Sequence, residues 1–323
     1  MSEQRRAGWI AWRHELVLCI LLVVLMGVAE YLVPGFCDGD SQLFLSRHLW
    51  EFALLGLGMT LIVLTGGVDL SVGSMMGLCA VVFGLVFRAT QRTEMAALAC
   101  VLTGALAGFC NGWLIARFRL HPLIVTLATF ATFRGVAEGI SQGEAYSQFG
   151  ARFSQLARGQ WWGLPWPGYL FLVLAACCGW WLAMTPSGRF LRAIGYNETA
   201  ARFAGVPVDR LRCQLYAFSG LLAGLATVVY VSRFDTAKAD AGKGFELDVI
   251  TAVVVGGTSI FGGRGNLLGT ALGLLLIHEV RLFVGRYWGF EELKPIVVGG
   301  LLVVSILASR ILEHRDRSGP HGT

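Results

Sequence analysis

Charge is what this chain has least of. Of 323 residues only 15% are charged, while 55% are hydrophobic. Soluble domains carry about 25% charged residues, so a surface facing water on every side is excluded and lipid is the solvent that remains. Lysine is almost missing: Lys238, Lys243 and Lys294 are the only three. None is followed by Ser or Thr in a Gly-rich P-loop, so the chain has no Walker A sequence of its own. The eight cysteines contain no CxxC pair, and Cys19, Cys79, Cys100, Cys110, Cys177 and Cys178 sit in apolar runs. Neither a metal site nor a disulfide framework is expected from that usage. His278-Glu279 lacks the second histidine of a zinc protease, and no G-x-S-x-G elbow stands out. No catalytic residue is therefore expected. The net charge of +5 is spread over many loops, which speaks against a nucleic-acid partner.

Long apolar runs are what the chain has instead. They fall near 15–33, 48–66, 70–87, 95–116, 122–141, 166–184, 212–232, 247–261, 266–284 and 293–309. A span needs roughly 20 apolar residues, so the pattern predicts an all-α integral membrane protein of about ten transmembrane helices. The run at 247–261 is short, and 50–87 is interrupted in its middle. One domain is expected over 1–323, with short tails at about 1–14 and 310–323. The first run lacks a small-residue cleavage site and reads as a retained helix. Many of the 42 glycines lie inside these runs, among them Gly56, Gly58, Gly104, Gly108, Gly220, Gly224, Gly269 and Gly273. Small residues let helix backbones approach in lipid.

Orientation follows from arginine in short loops. The 185–212 loop is the richest, with Arg189, Arg192, Arg202, Arg210 and Arg212. It is placed in the cytoplasm, and both termini with it. The opposite loops hold Trp161, Trp162 and Trp166, which suit a lipid interface, and the mixed charges Arg233, Asp235, Lys238, Asp240, Lys243 and Glu246.

Three features carry chemistry. The first is the break Gly66–Ser74, which puts Asp69, Ser71 and Ser74 between two apolar runs. Broken helices at membrane depth must face protein or a water-filled cavity, which suits a solute path. The other reading is a tight turn with Asp69 capping a helix from Leu70. A similar glycine-rich stretch, Val255–Gly263, echoes this break in the second half, as repeats in transporters do. The second feature is Arg134 with Glu138, whose i, i+4 spacing allows an ion pair on one helix face. That pair reads either as structural or as part of an outer vestibule. The third is Gly188–Arg212, with a short helix over Glu198–Ala204 stopped by Gly205 and Pro207.

At these residues the chain resembles the permease subunits of ABC importers for monosaccharides, the ribose/xylose/arabinose/rhamnose type, related to branched-chain amino-acid permeases. The resemblance rests on LTGGVDLSVG (Leu64–Gly73), HPLIVT (His121–Thr126) with Arg134-Gly135, GRFLRAIGYNETAARFAGVPVDR (Gly188–Arg210), SGLLAG (Ser219–Gly224) and GFELDVITAVVVGGTSIFGGRGNLLG (Gly244–Gly269). It implies a permease of the bacterial inner membrane. It also implies partners: a cytoplasmic ABC ATPase, a periplasmic sugar-binding protein and a second permease subunit, identical or sibling. No cofactor is implied for this chain; ATP and magnesium belong to the ATPase. The segment Ala193–Asp209 matches the coupling helix, with Gly195, Asn197, Glu198, Ala200, Gly205 and Pro207 as its recognisable positions. Asp69, Ser71, Arg134, Glu138 and Asp248 are candidates for the substrate path or gate. The stretches Ser71–Gly84, Phe133–Gly139 and Ala241–Gly265 look most like rhamnose-type permeases, with autoinducer-2, ribose and xylose systems as close variants. A rival class is a proton-coupled transporter acting alone, for which Asp69, Glu138 and His278 are the titratable material.

Overall fold

The computed structural model describes residues 3–317, with side chains from His14 to Leu307. The helices are α1 (Glu3–Leu32), α2 (Gly39–Leu45), α3 (Leu49–Leu64), α4 (Val72–Thr90), α5 (Thr93–Phe118), α6 (Pro122–Ser141) and α7 (Ala151–Arg158). They continue with α8 (Trp166–Met184), α9 (Pro186–Tyr196), α10 (Glu198–Phe203), α11 (Val208–Phe234), α12 (Phe245–Val255), α13 (Leu267–Trp288) and α14 (Leu293–Arg317). Strands are two residues each. β1 (Tyr146–Ser147) pairs with β4 (Thr236–Ala237), and β2 (Gln160–Trp161) pairs with β3 (Leu164–Pro165). The segments expected as tails continue α1 and α14 as far as they are described.

Among the described residues, eight helices are long and apolar enough to cross a bilayer. They are α1, the near-continuous α2–α3, α4, α5, α6, α8, α11 and α13. The two other apolar runs are also helical, but they differ in kind. The apolar part of α14 is Leu293–Leu307. The run at 247–261 forms only the 11-residue α12, which at 1.5 Å per residue is about 16 Å, half the ~30 Å hydrocarbon core. A non-helical segment precedes it. After β4 the chain runs through Lys238–Gly244 to the start of α12, with Ala237, Ala239 and Ala241 buried.

Local signals set the boundaries. At α6, Pro122 occupies the first turn, where its missing N–H costs nothing, and the His121 ring accepts from Leu123 N–H. At α9, Pro186 plays the same part and Thr185 Oγ1 accepts from Gly188 N–H. Gly289 in the left-handed region ends α13.

The most extensive helix contact joins α5 to α11. Glycines make it possible. Gly104, Gly108 and Gly112 recur every fourth residue on α5; the first two meet Gly220 and Gly224 on α11, and Gly112 meets Cys213 and Tyr216. A Cβ at Gly224 would lie 2.7 Å from Val101 Cα, and one at Gly112 would lie 2.7 Å from Cys213 Cα. At Gly104, Gly108 and Gly220 it would overlap the carbonyls of Gly220, Tyr216 and Gly104. In lipid, where apolar burial drives little, such close approach supplies the attraction. The α3, α4, α12 and α13 helices pack beside this pair around one apolar cluster that includes Leu54, Met75, Val253 and Ile277. The α1, α6 and α8 helices keep most of their surface open.

Gly108→Ala forces a methyl against backbone that cannot rotate away. It is expected to cost about 1–3 kcal/mol, read as a lower melting temperature of the detergent-purified protein. Gly179→Ala in α8, whose new Cβ would meet only a Leu267 methyl at 3.9 Å, is expected to melt like the wild type.

Candidate functional site: two broken crossings and a helical hairpin

The two glycine-rich stretches that echo each other in sequence touch in space. Gly263 N–H donates to Leu64 O at 2.9 Å, tying the loop after α12 to the end of α3. A Cβ at Gly262 would lie 2.7 Å from Gly66 N. Gly66, Gly257, Gly262 and Gly263 all have positive φ, a conformation glycine adopts without steric cost.

Asp69 lies in the first break, fully buried with Ser71 and Ser74. It does not cap a helix at Leu70, since α4 begins at Val72. Its Oδ1 accepts from Ser71 N–H (3.0 Å) and Ser71 Oγ–H (2.6 Å), an Asx turn within the break. Asn111 of α5 donates to Ser71 Oγ at 2.8 Å, and Thr126 of α6 donates to Val68 O at 3.2 Å. The break is therefore pinned to two neighbouring helices. Thr126 closes the HPLIVT stretch, but neither it nor the buried Asn111, which lies in no quoted motif, stands among the expected site residues. The signal both carry is a polar side chain inside an apolar run.

Arg134 serves the second crossing. Its guanidinium donates to Ala239 O, to Ala241 O at 3.4 Å and to Gly73 O at 3.3 Å. Unwound carbonyls at membrane depth need donors, and the five-donor arginine fork supplies several at once. The expected ion pair with Glu138 does not form: Arg134 turns to the backbone of 239–241, and Glu138 lies exposed on α6. Glycine makes room for the arrangement. A Cβ at Gly73 would overlap Glu246 and Gly242 O, and one at Gly77 would lie 2.6 Å from the Arg134 guanidinium. Glu246 keeps one buried oxygen without a partner.

Asp248 is buried in the first turn of α12 and forms an ion pair with Arg281 of α13. Ser71, Asp69 and Arg134 thus gather at the breaks. Asp248 stands apart on the α12–α13 contact, and Glu138 stands on an open helix face. A further buried pair, Glu51 of α3 with Arg233 of α11 at 2.7 Å, also went unread.

The Gly188–Arg212 segment folds as a hairpin of two helices. The α10 helix spans Glu198–Phe203, as the residue pattern predicts, and Gly205 follows at φ +82°. The preceding α9 was not anticipated. Asn197 caps α10 through Ala200 N–H at 2.9 Å. Glu198 accepts from Arg202 at 3.0 Å and pairs with Arg212, while Arg202 reaches Asp209 at 2.5 Å. Glu198 therefore ties α10 to the start of α11 rather than standing free. Burial pushes its carboxyl up, but Arg212 and Arg202 outweigh that and hold it below its usual 4.5. Pro207 precedes α11 at its N-cap. Leu191, Ile194, Ala201 and Val206 join Leu61, Leu64 and Leu211 in one apolar cluster, so the hairpin is packed onto the span ends. Tyr196 and Phe203 project outward, Phe203 with 89% of its surface exposed.

Residues 45–306 match the family model described as Branched-chain amino acid transport system / permease component. The chain is similar to the Autoinducer 2 import system permease protein LsrD of Yersinia enterocolitica, with 35% identity over 98% of this chain and 96% of the relative. It is similar to the protein of the same name from Escherichia coli K12, with 33% identity over 97% and 95%. The Shigella flexneri protein of that name is likewise 33% identical over 97% and 95%.

Arg134→Ala leaves the carbonyls of 239–241 without a donor. A loss of about 1–3 kcal/mol per orphaned buried group is expected, seen as a lower melting temperature and faster proteolysis after 237. Glu138→Gln is expected to leave both unchanged. For Glu198 the folded carboxyl is depressed, so its contribution is present above pH 4.5 and is lost as pH falls through the depressed value. Hydrogen exchange over 197–204 is expected to accelerate in that acid range and to become pH-independent in this respect in Glu198→Gln.

Proposed function

The chain belongs to the branched-chain amino acid transport system / permease component family, and we propose that it is the membrane subunit of an ATP-driven importer for a small polyhydroxylated solute. A permease subunit is not an enzyme; the energy comes from a partner ATPase. The observation that carries the reading is the α9–α10 hairpin. It is a compact, internally salt-bridged unit on the arginine-rich face, packed onto span ends and presenting Tyr196 and Phe203 outward. Such a unit suits docking of a soluble motor. The arginine bias supports a cytoplasmic position for it and for both termini. In this reading Gly195, Asn197, Glu198, Ala200, Gly205 and Pro207 shape the coupling segment, and Phe203 is its contact residue.

The solute path is assigned to the broken crossings. Asp69 and Ser71 hold the first break, Arg134 holds the second, and Asp248 anchors α12 beside them. Along α6, a Cβ at Gly135 or Gly139 would meet open space, and Thr132 and Glu138 are exposed with them. A polar, small-residue face on a spanning helix suits a second permease subunit across a shared path. A binding protein on the opposite face would deliver the solute. Autoinducer 2, the cargo named for the relatives, is the first solute to test. Rhamnose, toward which local stretches lean, is the second.

A proton relay has less to support it. Asp69, Glu138 and His278 lie on separate elements, and no hydrogen bond joins any two of them.

The test is reconstitution of the chain with its genetically neighbouring transport proteins in vesicles. Uptake of labelled autoinducer 2 or rhamnose is expected to need ATP, a P-loop ATPase and a binding protein, and to survive a collapsed proton gradient. Phe203→Ala is expected to release the ATPase on purification while the permease still inserts. Uptake by this chain alone on a proton gradient would overturn the reading.

A further inference from the structure

Three glycine backbones from distant parts of the chain meet at one point. Gly195 lies in the last turn of α9, Gly66 follows α3, and Gly262 and Gly263 follow α12. A Cβ at Gly195 would overlap both Leu64 O and Gly263 N, and would lie 2.9 Å from Gly263 Cα. A Cβ at Gly262 would lie 2.7 Å from Gly66 N and 2.8 Å from Gly195 Cα. The Tyr196 ring covers Gly263, 2.7 Å from where its Cβ would stand. Gly263 N–H closes the arrangement by donating to Leu64 O. One residue beyond Tyr196 comes Asn197, the cap of α10.

From this juxtaposition we propose that Gly195 is the positioning residue through which displacement of the α9–α10 hairpin reaches both broken crossings at once. Side chains in contact absorb small shifts by changing rotamer, but backbones in contact have no such freedom. Close-packed interiors transmit strain. Movement of α9 by even a fraction of an ångström therefore pushes on the end of α3 and on the loop after α12 together. Both segments lie outside helices, at the ends of α3 and α12, where no helical hydrogen-bond ladder resists bending. The apolar cluster of Leu191, Ile194, Leu61 and Leu64 keeps α9 from sliding off α3. A single contact thus synchronises the two halves without a relay of side chains.

The proposal rests on the importer reading, and one set of measurements separates the two. Gly195→Ala would be reconstituted with the partner ATPase and binding protein, beside wild type and Gly179→Ala. The ATPase is expected to remain bound to Gly195→Ala and to hydrolyse ATP, while solute moved per ATP falls about tenfold or more. Gly179→Ala is expected to match wild type. Should Gly195→Ala fail to fold, hydrogen exchange on the wild-type complex decides. On vanadate trapping of the ATPase, residues 193–204, 64–71 and 256–266 are expected to change exchange rate together. Unchanged transport per ATP in Gly195→Ala, or a response in 193–204 without both breaks, overturns the proposal and leaves the importer reading standing. A wild-type chain that binds no ATPase overturns both.

Discussion

A chain that unwinds inside a bilayer must find partners for every backbone group it frees, because no water is there to take them. Much of this molecule is arranged around that requirement. The first break is closed on itself by Asp69 and Ser71 and held from outside by Asn111 and Thr126. The irregular chain before the short α12 is held by Arg134 reaching across from α6. Charged and polar residues that look misplaced in apolar runs are the donors and acceptors the unwound segments need.

Close approach is the second constraint, and glycine satisfies it in two ways. On α5 and α11 it removes side chains from a straight helix contact, so that backbones touch along several turns. At Gly66, Gly262 and Gly263 it also supplies positive φ, letting the chain reverse where three segments converge. The first use builds a rigid pair. The second lets three chain segments turn and meet with their backbones in contact.

The hairpin combines both ideas. Its ion pairs among Glu198, Arg202, Asp209 and Arg212 make α10 and the start of α11 move as one piece. Its apolar underside is continuous with the span ends. The hairpin is therefore a packed, cross-linked unit rather than an open loop, with Phe203 left exposed at its surface.

Composition and pattern determined the membrane class, the position of the apolar segments, the short helix at Glu198–Phe203 and the family. Each is local: a run of apolar residues, a cap, a glycine stop or an ordered set of motifs is read without knowing what lies beside it. Tertiary structure decided the rest. The i, i+4 spacing of Arg134 and Glu138 suggested a pair, but spacing does not reveal that unpaired carbonyls at 239–241 lie nearer and compete for the guanidinium. The cap expected of Asp69 became an Asx turn because the break extends to Ser71. The partner of Asp248 is Arg281, 33 residues away in the chain. The meeting of Gly66, Gly195 and Gly262 joins three segments that nothing in the linear order connects. Which polar groups find one another is settled by packing over long sequence separations, and a single sequence carries no record of those distances.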